Sequence, residues 1–186
     1  FGVGGVGSYT AEALARSGVG TLILVDNDTV SLTNINRQSI AYHSTVGKYK
    51  THVMRERILD INPEAEVITF ETFVLPENLE SLFVKKIDYI IDAIDTVTAK
   101  LALVEYANAH EIPIISCMGT GNKLDPTKFE IADIQSNVYS FANITSENTE
   151  INESELKKSI SLEDINFLNN VQAVGSTKKF NIGTFY

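Results

Sequence analysis

Phe1-Gly2-Val3-Gly4-Gly5-Val6-Gly7, then Thr21-Leu22-Ile23-Leu24-Val25-Asp26, then Asn34-Ile35-Asn36-Arg37-Gln38 is the stretch that decides the fold. The spacing Gly2-x-Gly4-x-x-Gly7 stands directly before an apolar-periodic segment, residues 8–17. Such a loop is expected to open a helix whose unpaired N–H groups and dipole face a phosphate. Gly18-Val19-Gly20 turns the chain into a strand, and Asp26 ends that strand where a carboxylate accepts hydrogen bonds from ribose hydroxyls. A glycine fingerprint alone is weak; the order of loop, helix, turn, strand and acid reads as a mononucleotide-binding half. On the other reading, the glycines serve only close helix–sheet packing and Asp26 caps a turn.

Working outward, both NAD and ATP fit this half, and later residues separate them. A dinucleotide presents about two negative charges, which backbone N–H groups hold unaided. A triphosphate carries more charge and calls for fixed cations. Arg37 and Lys50 flank the turn region Val46-Gly47-Lys48, from which they can fold back over phosphates. Each partly desolvated contact of that kind is worth on the order of 1–4 kcal/mol. Singly, each reads equally well as a solvated surface charge; together with Asn34 and Gln38 they point to a triphosphate site.

The rest of the chain alternates. Residues 48–62 read as a helix with Val53, Ile58 and Ile61 inward and Asn62-Pro63 as its stop. A strand is expected over 66–70, a short helix over 77–83, a buried strand over 88–92, a helix over 97–109, a strand over 112–117 and one more over 129–134. This pattern implies an α/β, Rossmann-like, mainly parallel sheet with helices on both faces. Asp95 follows the apolar run Tyr89-Ile90-Ile91, which places it at the carboxyl edge of the sheet, where open α/β folds bind ligands. Its alternative role is the N-cap of the following helix.

Asp26-Asn27-Asp28-Thr29-Val30-Ser31-Leu32-Thr33-Asn34-Ile35-Asn36-Arg37-Gln38, with Val46-Gly47-Lys48-Tyr49-Lys50 and Asp92-Ala93-Ile94-Asp95, resembles the E1-like activating enzymes of the ThiF type, which adenylate carboxylates. Within that superfamily, Met118-Gly119-Thr120-Gly121-Asn122-Lys123-Leu124-Asp125-Pro126-Thr127-Lys128, followed by Ala132-Asp133-Ile134, is similar to the tRNA threonylcarbamoyladenosine dehydratases. The resemblance covers residues 1–135, an E1-like ATP-binding domain, and leaves 136–186 as an unassigned, partly mobile tail.

The resemblance implies roles position by position. Asp26 holds the ribose; Gly4, Gly5 and the helix start at Ser8 face the phosphates; Asn34, Arg37, Gln38 and Lys50 bind or polarise the triphosphate. Asp95 meets magnesium, a hard cation that takes one or two carboxylates and keeps several waters. The implied reaction is ATP-dependent dehydration of a modified adenosine in tRNA: the threonylcarbamoyl carboxylate attacks the α-phosphate, pyrophosphate leaves, and the mixed anhydride closes into a ring. A homodimer, and a sulfur-transfer partner such as a cysteine desulfurase, belong to the same expectation. The alternatives are an adenylating enzyme for a ubiquitin-like sulfur-carrier protein, an NAD-dependent oxidoreductase, and a non-catalytic Rossmann binding module.

Composition constrains these options. The single cysteine, Cys117, ends an apolar run and reads as a small core residue; it cannot supply a four-thiolate zinc site. His43, His52 and His110 share no metal-ligand spacing and read as surface or packing residues. No apolar run is long enough to span a bilayer, and the expected location is cytoplasmic. The net charge of −9 gives no basic domain: residues 1–135 hold 11 Lys and Arg against 18 Asp and Glu, and residues 136–186 hold 4 against 6. RNA as substrate therefore follows from the resemblance and not from charge. Because the chain opens on the glycine loop, the strand and helix that the family carries ahead of it, which can lend an arginine to a neighbour's site, are expected to be missing. The shortened central strand should then leave a gap in the sheet's hydrogen bonding.

Overall fold

A computed structural model describes residues 1–117 and Ile131. Helix and strand alternate as α1 (Gly7–Arg16), β1 (Thr21–Val25), α2 (Lys50–Ile61), β2 (Glu66–Phe70), the one-turn α3 (Leu79–Leu82), β3 (Ile90–Asp92), α4 (Val97–Ala109) and β4 (Ile114–Ser116). Each element expected within residues 8–117 is present, its ends shifted by no more than two residues. The strand expected over 129–134, Ile131 excepted, the stretch 119–128 and the tail 136–186 lie outside the described residues.

β1 pairs in parallel with β2, from Thr21↔Glu66 to Val25↔Phe70, and β3 pairs in parallel with β4, from Ile90↔Ile114 to Asp92↔Ser116. Residues 1–3 run between the two pairs. The Gly2 N–H donates to the Val25 carbonyl at 2.8 Å, the Phe1 nitrogen to the Ile91 carbonyl at 2.8 Å, and the Ala93 N–H to the Phe1 carbonyl at 2.8 Å. The gap expected here is therefore bridged on both sides. The spatial order is β2, β1, residues 1–3, β3, β4, so the chain builds outward on one side of the glycine loop and then on the other. That reversal opens a crevice at the carboxyl ends of the strands, the general ligand position of open α/β sheets.

Successive side chains of a strand point to opposite faces, and β1 shows this in its packing. Leu22 and Leu24 join a core with Ala11 and Ala15 of α1 and Val53, Met54 and Ile58 of α2. Ile23 and Val25 join a second core with Leu79 and Leu82 of α3 and Ala99, Leu103 and Ala107 of α4. Helices thus cover both faces of the sheet. Met54, fully buried, was not among the inward positions expected of α2.

The long connection from β1 to α2 folds back on itself. Val30 N–H donates to the Lys48 carbonyl at 2.8 Å, Gly47 N–H to the Val30 carbonyl at 2.8 Å, and Lys50 N–H to the Asp28 carbonyl at 3.0 Å. Val30 and Ile40, both buried, pin this connection to the first core. The result sets Lys50, the first residue of α2, beside Asp28.

Candidate functional site

A cleft of about 820 Å³ crosses the carboxyl ends of the strands. Its wall takes Gly2, Gly4 and Gly5 from the loop before α1, Asp26 and Asp28 after β1, and Asn34, Arg37, Gln38 and Lys50 from the folded-back connection. Thr72, Phe73 and Val74 close it after β2, and Ala93, Ile94, Asp95, Thr96 and Cys117 after β3 and β4. Every site residue expected from sequence lies on this wall except Ser8. Ser8 is fully buried, and its Oγ accepts the Ser39 N–H at 3.1 Å, so the side chain ties α1 to the segment after Gln38. The helix itself begins at Gly7, with Val6 as an N-cap that offers no side-chain hydrogen bond and with no acidic residue in its first turn. That leaves the positive end of the dipole unneutralised toward the cleft.

The four loop glycines divide into two kinds. A Cβ on Gly2, whose φ is +82°, would lie 2.6 Å from the Ala93 carbonyl oxygen, and one on Gly7 would lie 1.8 Å from the Gly2 carbonyl oxygen. Both are demanded by packing. At Gly4 the nearest atom to a Cβ would be Gln38 Nε2 at 3.8 Å, and at Gly5 the Arg37 Cγ at 3.5 Å, which are ordinary contacts. Packing therefore accounts for Gly2 and Gly7 and gives no reason for the bare backbone at Gly4 and Gly5, which face the cleft.

Asp26 accepts Val3 N–H on Oδ2 at 2.6 Å and Asp28 N–H on Oδ1 at 2.9 Å. It clamps the glycine loop while each oxygen keeps a second acceptor direction. Asn34, buried, turns its Oδ1 to Ser31 N–H at 2.9 Å within a short 3₁₀ turn, Leu32–Asn34. Arg37 is exposed and among the described residues meets only neutral acceptors, Thr33 O at 3.3 Å and Asn36 Oδ1 at 3.0 Å. Gln38 is buried, and its Oε1 has no partner among the described residues. Lys50 Nζ stands 2.6 Å from Asp28 Oδ2.

Asp95 is exposed on the cleft wall and makes no hydrogen bond or ion pair among the described residues. Thr96, not Asp95, occupies the N-cap of α4. The capping alternative is thus not what this carboxylate does here.

Sequence reasoning missed two features. Asp28, the partner of Lys50, had only its place two residues after Asp26 to mark it. Behind Asp95 lies a buried cluster: Lys100 Nζ is 2.9 Å from Asp92 Oδ2 and 2.7 Å from the Cys117 carbonyl, Ser116 Oγ donates to Asp92 Oδ2, and Asp92 Oδ1 accepts Ile94 N–H at 3.0 Å. The available signal was a lone lysine in the apolar run Ala99-Lys100-Leu101-Ala102-Leu103-Val104. Cys117 is buried as expected.

A glycine-loop α/β sheet with its cleft where the strand order reverses defines a protein of the Rossmann-like α/β class. The ThiF family model matches residues 1–171, and the chain belongs to that family. It is 54% identical over 134 residues to the tRNA threonylcarbamoyladenosine dehydratase of Bacillus subtilis, across 72% of this chain and 53% of that protein. Identity to the Escherichia coli dehydratase is 45% over 133 residues, across 72% of this chain and 50% of that protein. A crystal structure of the E. coli tRNA N6-threonylcarbamoyladenosine dehydratase TcdA in complex with ATP superposes with a TM-score of 0.69 at 33% identity, across 95% of this chain and 86% of that one. The chain spans about half the length of the curated relatives it matches. Among the described residues, no helix is long and apolar enough to cross a membrane.

Proposed function

We propose that residues 1–135 form the ATP-binding, carboxylate-adenylating domain of a tRNA threonylcarbamoyladenosine dehydratase. The observation that carries this reading is the convergence of bare Gly4 and Gly5 backbone, Arg37, Lys50 and Asp95 on one cleft. Asp26 would take the ribose on its remaining acceptor directions. The uncapped start of α1 and the glycine backbone would take phosphate oxygens, with the Gln38 Nε2 amide group beside Gly4 as a further donor. Arg37, engaged only by neutral oxygens, and Lys50, whose Asp28 partner is solvated, are the cations that a triphosphate needs. Asp95, exposed and without a partner among the described residues, suits a magnesium ion, whose chemistry is to offset the charge of the phosphates at the reacting centre.

In the proposed reaction the substrate carboxylate displaces pyrophosphate from the α-phosphorus of ATP. The substrate's own nitrogen then displaces AMP and closes the ring, with the net loss of one water. The chain contributes position and charge, and no covalent nucleophile. tRNA as substrate and a second copy of the chain as dimer partner belong to the same proposal, as does a sulfur-transfer protein such as a cysteine desulfurase.

The test incubates the protein with Mg-ATP and tRNA carrying threonylcarbamoyladenosine, then assays AMP and the digested nucleosides. AMP together with a nucleoside lighter by one water is expected. AMP formed only with a Gly-Gly-tailed carrier protein would replace this reading with the carrier-activating one, and stabilisation by NAD but not ATP would remove both.

A further inference from the structure

We infer that Asp92 is a positioning residue that sets the Asp95 carboxylate in the cleft, with Lys100 and Ser116 holding it in place. This rests on the role proposed for Asp95. Asp92 ends β3 with no exposure to solvent, and its Oδ1 accepts the Ile94 N–H at 3.0 Å, which fixes the turn that leads into Asp95. Its Oδ2 receives Lys100 Nζ at 2.9 Å and Ser116 Oγ. Lys100 also donates to the Cys117 carbonyl at 2.7 Å, and Cys117 N–H donates to the Asp92 carbonyl at 2.7 Å. One buried carboxylate therefore joins the ends of β3 and β4, and the residues that follow them, Ala93 and Cys117, lie on the cleft wall.

The turn is gripped from its other side by the glycine loop. Ala93 N–H donates to the Phe1 carbonyl at 2.8 Å, and Gly2 packs so close that a Cβ there would strike the Ala93 carbonyl oxygen at 2.6 Å. With Asp92, Ala93 and Ile94 held directly before it, Asp95 alone of this turn is exposed. A buried charged pair is costly to keep out of water and does not by itself argue for stability. Here it serves to orient a ligand-facing carboxylate, as supporting shells around metal ligands do.

Two double variants of the full chain separate orientation from folding. Asp92→Leu with Lys100→Met removes both charges while keeping the branched shape of the aspartate side chain, leaves no buried unpaired ion and deletes the acceptor for Ile94 N–H. Asp92→Asn with Lys100→Met also removes both charges but keeps an amide oxygen for that N–H. In the Leu/Met variant the Ile94 amide should exchange with deuterium at least about tenfold faster than in wild type. Its magnesium-dependent gain in ATP affinity should fall by about tenfold, with metal-free ATP affinity held within about threefold. The Asn/Met variant should recover both quantities. Wild-type Ile94 exchange in the Leu/Met variant, or wild-type magnesium dependence despite faster exchange, would overturn the positioning role. Should the unmodified protein show no magnesium-dependent ATP affinity, the nucleotide reading itself fails. Ile94 exchange then still decides whether Asp92 fixes the turn.

Discussion

Two lysine–aspartate pairs serve the cleft, one on its wall in the β1 half of the sheet and one behind its wall in the β3 half. In the β1 half, Lys50 keeps 7% of its side chain exposed and its partner Asp28 keeps 56%; in the β3 half, Lys100 keeps 6% and Asp92 none. Asp92 is fully engaged by Lys100, Ser116 and Ile94, whereas Asp28 stands largely in water. Removing a partner from a desolvated pair strands a charge in a medium that cannot solvate it. A solvated carboxylate that loses its lysine regains water at little cost. The closed pair therefore shapes the wall, and the open pair is the one whose lysine can be handed to phosphate oxygens.

The largest expected effect attacks that distinction directly. Lys100→Met should lower the unfolding free energy by about 3–5 kcal/mol, because Asp92 is left buried and uncompensated. Lys50→Met, which retains the buried stem, should cost about 1 kcal/mol or less. Urea unfolding of both variants measures this, and equal losses would erase the difference between the pairs.

Next in size is the ligand effect of the open pair. A charge-assisted hydrogen bond is worth about 1.5–3 kcal/mol, so Lys50→Met should weaken ATP by about 10- to 100-fold while AMP changes by about threefold at most. Titration calorimetry with both nucleotides checks this. Equal losses would mean that Lys50 supports the fold of α2 instead of the outer phosphates.

A smaller effect sharpens the same side of the comparison. Gly5→Ala meets the Arg37 stem at 3.5 Å and the Arg37 carbonyl oxygen at 3.7 Å, both ordinary contacts, and needs no unusual backbone, so stability should stay within about 1 kcal/mol of wild type. ATP should bind about tenfold more weakly, since a methyl now stands between the backbone N–H groups and the phosphates. Unchanged ATP affinity would place the phosphates elsewhere along the cleft.

The order of elements and most of the cleft wall were legible because period and punctuation carry them: alternating apolar runs, the Gly18-Val19-Gly20 turn, and acids directly after Val25 and within Ala93-Ile94-Asp95. What was not legible depends on pairing across long separations. The Asp28–Lys50 contact spans 22 residues and forms only because residues 28–30 and 47–50 zip together. Lys100 looked like one more helix charge, yet it is turned inward by a carboxylate eight residues before it and a carbonyl seventeen after it. The Ser8 contact was illegible for a related reason: its hydroxyl meets the Ser39 N–H in the interior, across 31 residues. The glycines looked alike in sequence, and only the atoms that a Cβ would meet separate packing from access.

The smallest effect concerns an ion pair between the two extremes. Glu12 of α1 meets Arg16 at 2.8 Å and Arg57 of α2 at 2.8 Å, its side chain 16% exposed against 60% for Arg16 and 30% for Arg57. The hydrogen bond from Arg16 first, and that from Arg57 against the opposing effect of burial, hold its carboxyl below the ordinary value of 4.5. A carboxyl whose folded value is depressed contributes stability that is complete above its unfolded value and is lost as pH falls through the folded one. Because both arginines reach solvent, that contribution is screened, and Glu12→Gln should cost less than about 1 kcal/mol near neutral pH. The gap between variant and wild type should shrink in acid, below the ordinary glutamate range, and should also shrink with added salt. Urea unfolding compared at neutral and acidic pH decides it. A gap that persisted or widened in acid would mean that Glu12 joins α1 to α2 by packing of its stem and not by its charge.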